Sequence, residues 1–259
     1  MDRKPTINII GAGNVATHLS KALSKNGYTI MCIASRTSYR AKLLAENVGA
    51  EHTTDISNLP TADITIITVP DNAITETAKA LSKQGLNTIV AHTSGATPIE
   101  ALLPNRHIGV LYPCMTFSAT DTIDMSRCPF LVEANEEDTY NVLAEIAEAI
   151  GSVATKCGGA ARAKLHLAAV LASNFANHLL LQSEKVLGKA GLPLSILQPL
   201  VMQTIEKAFK SNPFDAQTGP ARRGDTNTLD RHRKIIGDDD NLRKIYDTLT
   251  RSIAKTYRK

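Results

Sequence analysis

The sequence predicts an α/β protein whose N-terminal half forms a doubly wound parallel sheet and whose C-terminal half is an all-α domain. Apolar, β-branched runs alternate with amphipathic helical patterns up to about residue 156, and only helical patterns follow. The 259 residues, 43% of them hydrophobic, are enough for two domains of ordinary size. We therefore expect a sheet domain over residues 1–156 and a helical domain over residues 157–259.

The first three elements are predicted to be a strand, a helix and a second strand. TINIIGA is apolar and ends in glycine, residues 14–26 carry apolar side chains at helical spacing, and YTIMCIA is apolar again. Further helices are predicted near 38–48 and 71–83, and further strands at 50–53, 62–69, 87–92, HIGVLY and PFLVEA. Strands that are apolar over nearly their whole length indicate a parallel sheet with helices on both faces.

The segment GAGNVA, which begins at Gly11, has the glycine spacing of a dinucleotide-binding turn. Gly11 permits the tight turn, Gly13 lets the backbone approach a pyrophosphate, and the small Ala16 lets the helix pack closely on the strand. Asn14 and Val15 begin the helix and are candidate cofactor contacts. This pattern favours a Rossmann domain that binds a dinucleotide, and the alternative is a Rossmann fold that has lost its cofactor.

The residues after the second strand distinguish NADP from NAD. NAD-binding domains place an Asp or Glu about 20 residues beyond the glycines to bind the ribose 2′-hydroxyl. Here no carboxylate occurs between Tyr28 and Ala45. Ser35, Arg36 and Thr37 instead offer hydrogen-bond donors suited to a 2′-phosphate. The sequence therefore predicts NADP as the cofactor.

The segment VPDNAI follows the fourth strand, at the sheet edge where the nicotinamide half of a dinucleotide binds in this fold. Val69 and Pro70 are therefore candidate cofactor contacts. Asp71 is interpreted mainly as the N-cap of the next helix.

Polar side chains interrupt the apolar run LHLAAVLASNFANHLLL, residues 165–181, which predicts a central buried helix. At about 100° per residue, His166, Ser173 and Asn177 fall within about 40° of one another, and Asn174 lies about 80° from His166. A buried polar group without a partner costs about 1 to 3 kcal/mol. This strip therefore needs partners, water or a ligand, and either ordinary core hydrogen bonds or a substrate site would satisfy it.

A polar segment, TGPARRGDTNTLDRH at residues 218–232, lies between two helical patterns. Asp225 or Asn227 could simply cap a short helix that runs through His232 to Ile236. Pro220 and Gly224 would give the segment before it a fixed loop shape. A cap does not explain the other polar residues clustered there, so we interpret the segment as a wall of the substrate cleft in which Arg223 holds a carboxylate or phosphate. Its Arg-Gly-Asp triplet is not interpreted as an adhesion motif, because the triplet is common by chance.

Charge is distributed unevenly along the chain. Residues 1–156 hold 12 Lys and Arg against 16 Asp and Glu, whereas residues 157–259 hold 17 against 9, a net charge of +8. This excess suits a small anionic molecule, although solvated helix faces are its ordinary explanation. Nucleic acid is not expected as a partner, because aromatic residues do not interleave with the basic ones.

Targeting segments and metal sites are not expected. The first apolar run is too short for a signal peptide, and no segment reaches the roughly 18 apolar residues of a membrane span. The four cysteines lie far apart, without the spacing of a disulfide framework or a zinc site. We therefore expect a cytoplasmic protein that has no metal site and no membrane partner.

Taken together, the motifs resemble those of Rossmann-like proteins that carry a C-terminal helical domain of uncharacterised function. These proteins are similar to 6-phosphogluconate dehydrogenase, the β-hydroxyacid dehydrogenases, ketopantoate reductase and pyrroline-5-carboxylate reductase. The resemblance covers the whole chain and rests on GAGNVA, VPDNAI, HTSGA, LHLAAVLASNF and TGPARRGDTNTLDRH. It implies that the Ser-Gly stretch after the fifth strand and polar residues of the first C-terminal helix flank the substrate, which points to Ser94, His166 and Asn174.

The chain departs from the wider superfamily at two places. The β-hydroxyacid dehydrogenase pattern has an Asn four residues after its catalytic Lys, but Lys164 is followed at that spacing by Ala168. That catalytic assignment therefore does not transfer. Tyr112 also stands where the closer family has a His-Pro pair, so the sequence assigns the LYPCMTF loop no role beyond shaping the cleft.

The leading hypothesis is an NADP-dependent oxidoreductase that moves a hydride to or from the carbonyl or imine carbon of a small, anionic substrate. His166 is the candidate general acid and base, because histidine as a residue type titrates near neutral pH. Asn174 and Ser94 would orient the reacting group. The remaining candidate substrate contacts are Thr93, Ser173, Arg223, Asp225 and His232.

The alternative hypothesis is a non-catalytic, NADP-binding regulatory protein that uses its helical domain to bind a partner. The fold by itself does not distinguish the two hypotheses. A sensor needs no proton donor beside the nicotinamide, so the surroundings of His166 are the discriminating observation. The apolar helical domain also predicts a homodimer.

Overall fold

The computed structural model describes residues 3–118 and 123–257, and the chain divides into two compact units, Met1–Ser173 and Asn174–Lys259. All strands of the described residues lie in the first unit. The boundary predicted after residue 156 coincides with the end of the last strand. The division of the chain lies later, because the helix that follows begins by packing on the sheet through Arg162.

The first unit is the predicted α/β domain, with a single sheet among the described residues. Its strands are β1 (Ile7–Ile10), β2 (Ile30–Ala34), β3 (Glu51–Thr53), β4 (Ile64–Ile67), β5 (Ile89–His92), β6 (His107–Pro113), β7 (Pro129–Ala134) and β8 (Val153–Lys156). They lie side by side in the order β3-β2-β1-β4-β5-β6-β7-β8. The strand order reverses at β1, so the crevice of a doubly wound fold opens between β1 and β4.

Helices cover both faces of this sheet. They are α1 (Asn14–Lys25), α2 (Ser38–Val48), α3 (Asp71–Ser82) and α4 (Glu137–Ile150). Side chains of α1, α2 and α4 belong to one apolar core, and side chains of α3 belong to a second core on the opposite face. Strands buried on both faces are apolar at most positions, which explains the isoleucine-rich sequences of β1 and β4, where Asn8 and Thr65 are the buried polar exceptions.

Alternation of side chains along the central strands separates the two cores. Ile9 of β1 and Ile66 of β4 are direct partners in the parallel ladder and belong to the first core. The next pair along the strands, Ile10 and Ile67, belongs to the second core. Successive strand residues point to opposite faces, so each neighbouring pair of isoleucines supplies both cores.

The pairing of β7 corrects the expectation of a wholly parallel sheet. β7 runs antiparallel to β6, with Leu111 opposite Val132, whereas the other described strand pairs are parallel. A parallel connection needs a crossover, usually a helix. The described residues between β6 and β7 contain only a short 3-10 turn, Met125–Arg127. The chain therefore returns antiparallel, a direction that apolar patterning does not encode.

A helical run begins in the first unit and continues into the second. It consists of α5 (Gly159–Ala169), a π-helical turn (Val170–Asn174) and α6 (Phe175–Gly188). The remaining helices are α7 (Gln198–Lys210), α8 (Pro213–Ala216), α9 (Pro220–Arg223), α10 (Thr226–Ile236) and α11 (Asp240–Tyr257). All of these residues from Gly159 onward are helical or connect helices, as predicted.

The predicted burial of the helix over residues 165–181 is wrong for the single chain. Leu167, Leu171 and Phe175 are 60%, 56% and 55% exposed. The spacing of apolar residues identifies positions that gain from being covered, but it does not say which molecule covers them. The polar residues Ser173 and Asn177 of the predicted strip are exposed as well.

The segment 218–232 is largely helical, in contrast to the fixed loop that Pro220 and Gly224 suggest. Pro220 occupies the first turn of α9, where its missing N–H is not needed. Gly224 ends α9 in the left-handed conformation, with φ of 69°. Asp225 then caps α10 by accepting a hydrogen bond from the Thr228 N–H at 3.1 Å, which is the cap that the sequence allowed as the simpler interpretation.

Two adjacent leucines of α2 test the packing of the first core. Leu44 is 4% exposed and Leu43 is 49% exposed. Leu44→Ala should lower the free energy of unfolding by about 2 to 5 kcal/mol, because it removes a buried side chain and leaves a cavity. Leu43→Ala, the matched control, should change it by less than about 1 kcal/mol. Denaturant unfolding measures both, and equal losses would contradict the assigned burial.

Candidate functional site

The glycine turn is shaped for the phosphates of a dinucleotide. Gly11 has φ of +124°, and a Cβ atom there would lie 2.2 Å from Thr68 Oγ1, so only glycine fits. The Thr68 hydroxyl donates to the Ile10 carbonyl at 2.9 Å and holds the ends of β1 and β4 together. A Cβ atom at Gly13 would meet no heavy atom within 4 Å, which leaves room for a ligand against the backbone.

The start of α1 has the polarity that an anion requires. Gly13 is its N-cap and makes no side-chain capping bond, and the first turn carries no acidic residue. The Asn14 side chain donates to the Phe117 carbonyl at 3.1 Å, and Val15 is half-buried. Backbone N–H groups, rather than the Asn14 amide, are therefore the groups that would hold the pyrophosphate.

The end of β2 fits the 2′-phosphate of NADP. Ser35 Oγ accepts a hydrogen bond from the Thr37 N–H at 3.3 Å, and α2 then begins without an acidic residue in its first turn. Arg36 is exposed, and its guanidinium has no hydrogen-bond or ion-pair partner among residues 3–118 and 123–257. The three residues together offer donors and one free positive charge, with no carboxylate beside them.

The segments after β4 and β5 lie at the same edge of the sheet, because these strands are parallel neighbours. Val69 is half-buried and Pro70 is exposed, and the Thr93 N–H donates to the Ile67 carbonyl at 3.2 Å. Pro70 is the N-cap of α3, and Asp71 is its first helical residue. The predicted capping role of Asp71 is therefore wrong, and its carboxylate contributes negative charge to the first turn of the helix instead.

A compact turn follows β5 and brings Ser94 to the candidate site. The Ser94 N–H donates to His92 Nδ1 at 3.1 Å, and Ser94 Oγ accepts hydrogen bonds from the N–H groups of Ala96 and Thr97 at 3.2 and 2.9 Å. Ser94 is 7% exposed. Its oxygen therefore organises the turn, and its O–H proton remains available for donation.

A tyrosine and a histidine meet above this turn. The Tyr112 hydroxyl lies 3.2 Å from His166 Nδ1, and the two rings are perpendicular with centroids 5.9 Å apart. A Cβ atom at Gly95 would lie 2.6 Å from His166 Nδ1 and 2.8 Å from Tyr112 Cζ. The pair thus rests directly on the backbone of Gly95, and any side chain at this position would displace it.

Burial controls the ionisation of Tyr112. Loss of solvent raises the pKa of its hydroxyl to about 12, with a smaller contribution from Cys114 in the same loop. The phenol therefore stays protonated at neutral pH and can donate to His166. Sequence reasoning gave Tyr112 no chemical role, although its place at the carboxyl end of β6, next to β5, was a signal that could have identified it.

The second polar residue of the helical run contacts the same loop as His166. Ser173 Oγ lies 3.1 Å from Thr116 Oγ1. Tyr112 lies near the end of β6 and Thr116 shortly after it, so His166 and Ser173 both approach this part of the chain. Asn174 is exposed at the end of the π turn. The π turn has more residues per turn than an α-helix, so the residues after it face a different direction from the one calculated at 100° per residue.

A buried ion pair lies under the helix that carries His166. Arg162 is 1% exposed and forms a salt bridge with Glu133 of β7. Its Nη2 donates to the Thr97 carbonyl at 2.7 Å. Nearby, burial first and the charge of Arg162 second lower the pKa of His92 from 6.5 to about 4, so that this imidazole is neutral.

Two of the candidate residues in the segment 218–232, Asp225 and His232, have local side-chain partners. Asp225 uses both carboxylate oxygens on Thr228, which lowers the pKa of its carboxyl group. His232 Nδ1 lies 2.8 Å from the Tyr246 hydroxyl, and Arg223 is exposed at the end of α9. Asp225 is thus explained by capping, whereas Arg223 and His232 retain groups that a ligand could use.

Two family models match the chain. The model described as NADP oxidoreductase, coenzyme F420-dependent, matches residues 6–93, and the model of a domain of unknown function (DUF2520) matches residues 128–253. A Bacteroides fragilis protein, whose name assigns it to the NADP oxidoreductases, is 34% identical, with a TM-score of 0.91 over 97% of this chain and 98% of that chain. The chain belongs to this family of NADP oxidoreductases. The predicted resemblance and the predicted cofactor, NADP, are confirmed.

More distant structures share the fold of this NADP oxidoreductase family. An imine reductase from Myxococcus stipitatus in complex with NADP+ is 15% identical, with a TM-score of 0.72 over 97% of this chain and 93% of that chain. A pyrroline-5-carboxylate reductase from Coxiella burnetii is 16% identical, with a TM-score of 0.58 over 98% of each chain. No curated protein matches the sequence.

Membrane-spanning helices and metal-binding clusters are both absent from the part of the chain that the structure describes. None of its helices combines the length and apolarity needed to cross a membrane. Within the same residues, no group of three or more His, Cys, Asp or Glu side chains is arranged to hold a metal ion.

Charge reversal at Arg36 tests the cofactor site. The unaltered protein should bind NADPH more tightly than NADH, and Arg36→Asp should abolish or reverse this preference, because a carboxylate repels the 2′-phosphate and binds the 2′-hydroxyl. Arg40→Asp, on the exposed surface of α2, makes the same change in net charge and should keep the preference. Fluorescence titration at fixed salt measures the affinities, and equal binding of both cofactors by the unaltered protein would refute the prediction.

The depressed pKa of His92 predicts a pH dependence of stability. Between pH 6.5 and about 4 the unfolded chain binds a proton at His92 that the folded chain does not, so stability is complete above that range and falls with pH within it. The loss between pH 7 and pH 5 should be about 2 kcal/mol. His92→Asn should reduce this loss, and His52→Asn, at an exposed site, should not. Identical pH dependence in both variants, in denaturant unfolding, would show the prediction to be wrong.

Proposed function

We propose that the chain is an NADP-dependent oxidoreductase that transfers a hydride to or from the carbonyl or imine carbon of a small anionic substrate. The observation that supports catalysis most directly is the Tyr112–His166 pair, with 3.2 Å between the hydroxyl and Nδ1. This pair belongs to the carboxyl edge of the sheet, where the nicotinamide half of a dinucleotide binds in Rossmann domains. A protein that only senses NADP has no need of a proton donor there.

The cofactor, when bound, supplies or accepts the hydride, and the protein has to handle one proton. Tyr112 remains a neutral phenol because its pKa is raised to about 12. When the Tyr112 O–H donates to His166 Nδ1, the ring proton of this tautomer lies on Nε2. We assign Nε2 as the atom that gives a proton to the substrate nitrogen or oxygen during reduction, while the Tyr112 proton moves to Nδ1 and solvent restores the phenol proton. Oxidation reverses these transfers.

Other side chains would orient the substrate. The Ser94 O–H is free to donate, because its oxygen only accepts the two bonds from the turn. Thr93 lies next to it, and the exposed Ser173 and Asn174 follow His166 on the helical run. These hydroxyl and amide groups can orient a carbonyl or imine through hydrogen bonds without changing its charge. They need not act as acids or bases, because His166 takes that role in the proposal.

An anionic substrate is supported by the second unit. Residues 157–259 carry a net charge of +8, and Arg223 presents an exposed guanidinium that can hold a carboxylate with two parallel hydrogen bonds. His232 Nδ1 is bonded to Tyr246, which leaves Nε2 for a ligand. Pyrroline-5-carboxylate, the substrate named for the Coxiella burnetii protein, combines an imine with a carboxylate and is therefore a suitable first probe.

Homodimerisation is part of the proposal. The second unit exposes many large apolar side chains, and Ile196, Leu200, Phe209 and Phe214 are 55%, 60%, 90% and 56% exposed. Large apolar patches that rest uncovered in a monomer usually mark a site of association. A second copy of the chain is the simplest cover, because it supplies an equally apolar surface, and the molecular mass in solution tests this.

Substitution of His166 tests the proposed reaction. With NADPH and a panel of small cyclic imines and 2-oxo acids, pyrroline-5-carboxylate and pyruvate included, His166→Gln should lower kcat about 100-fold or more, since general acid–base catalysis contributes about 10² to 10⁴. NADPH affinity should change less than about twofold, because His166 does not touch the glycine turn. The fall in NADPH absorbance measures the rate.

His178→Gln provides the matched control, because His178 is exposed on α6 and its described hydrogen bond is to Gln182 of the same helix. This variant should keep the full rate. NADPH binding without oxidation by any member of the panel would favour the non-catalytic regulatory alternative. Equal rates in the unaltered protein and His166→Gln would remove His166 from the mechanism.

A further inference from the structure

We infer that Glu133 and Arg162 are positioning residues that hold the His166 helix against the Ser94–Gly95 turn, an inference that rests on the proposed catalytic role of His166. Among the described residues, neither side chain forms a hydrogen bond or ion pair with the glycine turn, Tyr112 or His166. Their contribution would be to place His166, because they tie its helix to the turn at Thr97 and to β7, which are far from it in sequence.

One guanidinium connects three elements. Arg162 of α5 forms its salt bridge with Glu133 of β7 and donates from Nη2 to the Thr97 carbonyl at 2.7 Å. The other Glu133 oxygen accepts a hydrogen bond at 3.0 Å from the N–H of Gly159, the first residue of α5. Glu133 thus holds the start of the helix and the arginine together, and the arginine holds the end of the turn.

These contacts lie on both sides of the place where His166 packs against the backbone of Gly95. Thr97 closes the turn that contains Gly95, because its N–H donates to Ser94 Oγ at 2.9 Å. The bond from Arg162 to the Thr97 carbonyl therefore also holds this turn. Arg162 and His166 are four residues apart on α5 and therefore share a helix face. A Cβ atom at Gly95 would lie only 2.6 Å from His166 Nδ1. Any slide of α5 along the turn would therefore change the Tyr112–His166 distance.

Stability alone does not explain a buried pair of this kind. Removing two charges from water offsets most of their mutual attraction, and apolar side chains of similar volume often stabilise a core equally well. An ion pair differs from an apolar contact in being directional. The planar guanidinium satisfies Glu133 and Thr97 only in one orientation, which fixes both the rotation and the height of α5.

The test replaces the charged pair by an apolar pair, Glu133→Leu with Arg162→Met, and follows the imidazole of His166 by NMR in protein labelled with 15N-histidine. The His166 signals are identified by their loss in His166→Gln. The control is Glu137→Leu with Lys156→Met, which removes an exposed ion pair of 3.1 Å in the same unit. The second readout is the kinetics with the substrate that the panel identifies.

In the apolar pair variant, the 15N shifts of His166 should move toward those of a solvent-exposed histidine, while the unfolding midpoint stays near that of the unaltered protein. The value of kcat should fall about 10- to 100-fold, with KM and the NADPH Kd within about twofold, as expected when a catalytic group is misplaced by about 1 Å. The control should change none of these quantities. Unchanged His166 shifts in a folded apolar variant would overturn the inference.

Arg162→Lys keeps the inference testable if the apolar pair does not fold. Lysine preserves the charge, but its single ammonium group lacks the planar fork that engages two partners at once. The His166 shifts should therefore move in this variant too, and unchanged shifts would overturn the inference. Moved shifts in a protein that turns over no member of the panel would support the positioning role and count against the proposed reaction.

Discussion

The parallel pairing of β1 with β2 and β4 is the constraint on which the rest of the site depends. Ile9 of β1 lies between Ile33 of β2 and Ile66 of β4, and all three side chains are fully buried. Parallel strands end at a common edge, so this pairing brings the glycine turn, the Arg36 segment and the segment after β4 together. Apolar burial on both faces of the sheet thus fixes the position of polar groups at its edge.

Close packing fixes the second half of the site. Gly95 has no side chain, and the rings of His166 and Tyr112 occupy the space that one would fill. This approach requires α5 to lie close to the turn after β5, where α5 also contributes the buried Arg162. In the proposed site, His166 is therefore placed by contact with the Gly95 backbone and by a directional ion pair, while the end of β6 supplies the Tyr112 phenol that orients its ring.

The second unit follows a different physical rule. Its helices expose large apolar side chains, and polar groups such as Asp225 and His232 are held by neighbours within the same unit. In the proposed homodimer, covering this apolar surface would stabilise the helical domain. Association between copies would therefore be part of how this half of the chain is stabilised.

The sequence by itself determined the α/β class, the positions of the described strands other than β8, the glycine turn and the choice of NADP, because each follows from short-range periodicity or from residues adjacent in the chain. It also made His166 a candidate, through polar residues in an apolar helical run, and Ser94 a candidate, through the family resemblance. It could not identify Tyr112, Glu133 or Arg162 as parts of the site, nor the antiparallel direction of β7. Their relation to His166 arises only when strands and helices distant in sequence meet, and contact of that kind leaves no local pattern. The exposure of the helix over residues 165–181 was likewise decided by tertiary structure, since apolar spacing records a preference for burial and the packing of whole elements decides whether it is met.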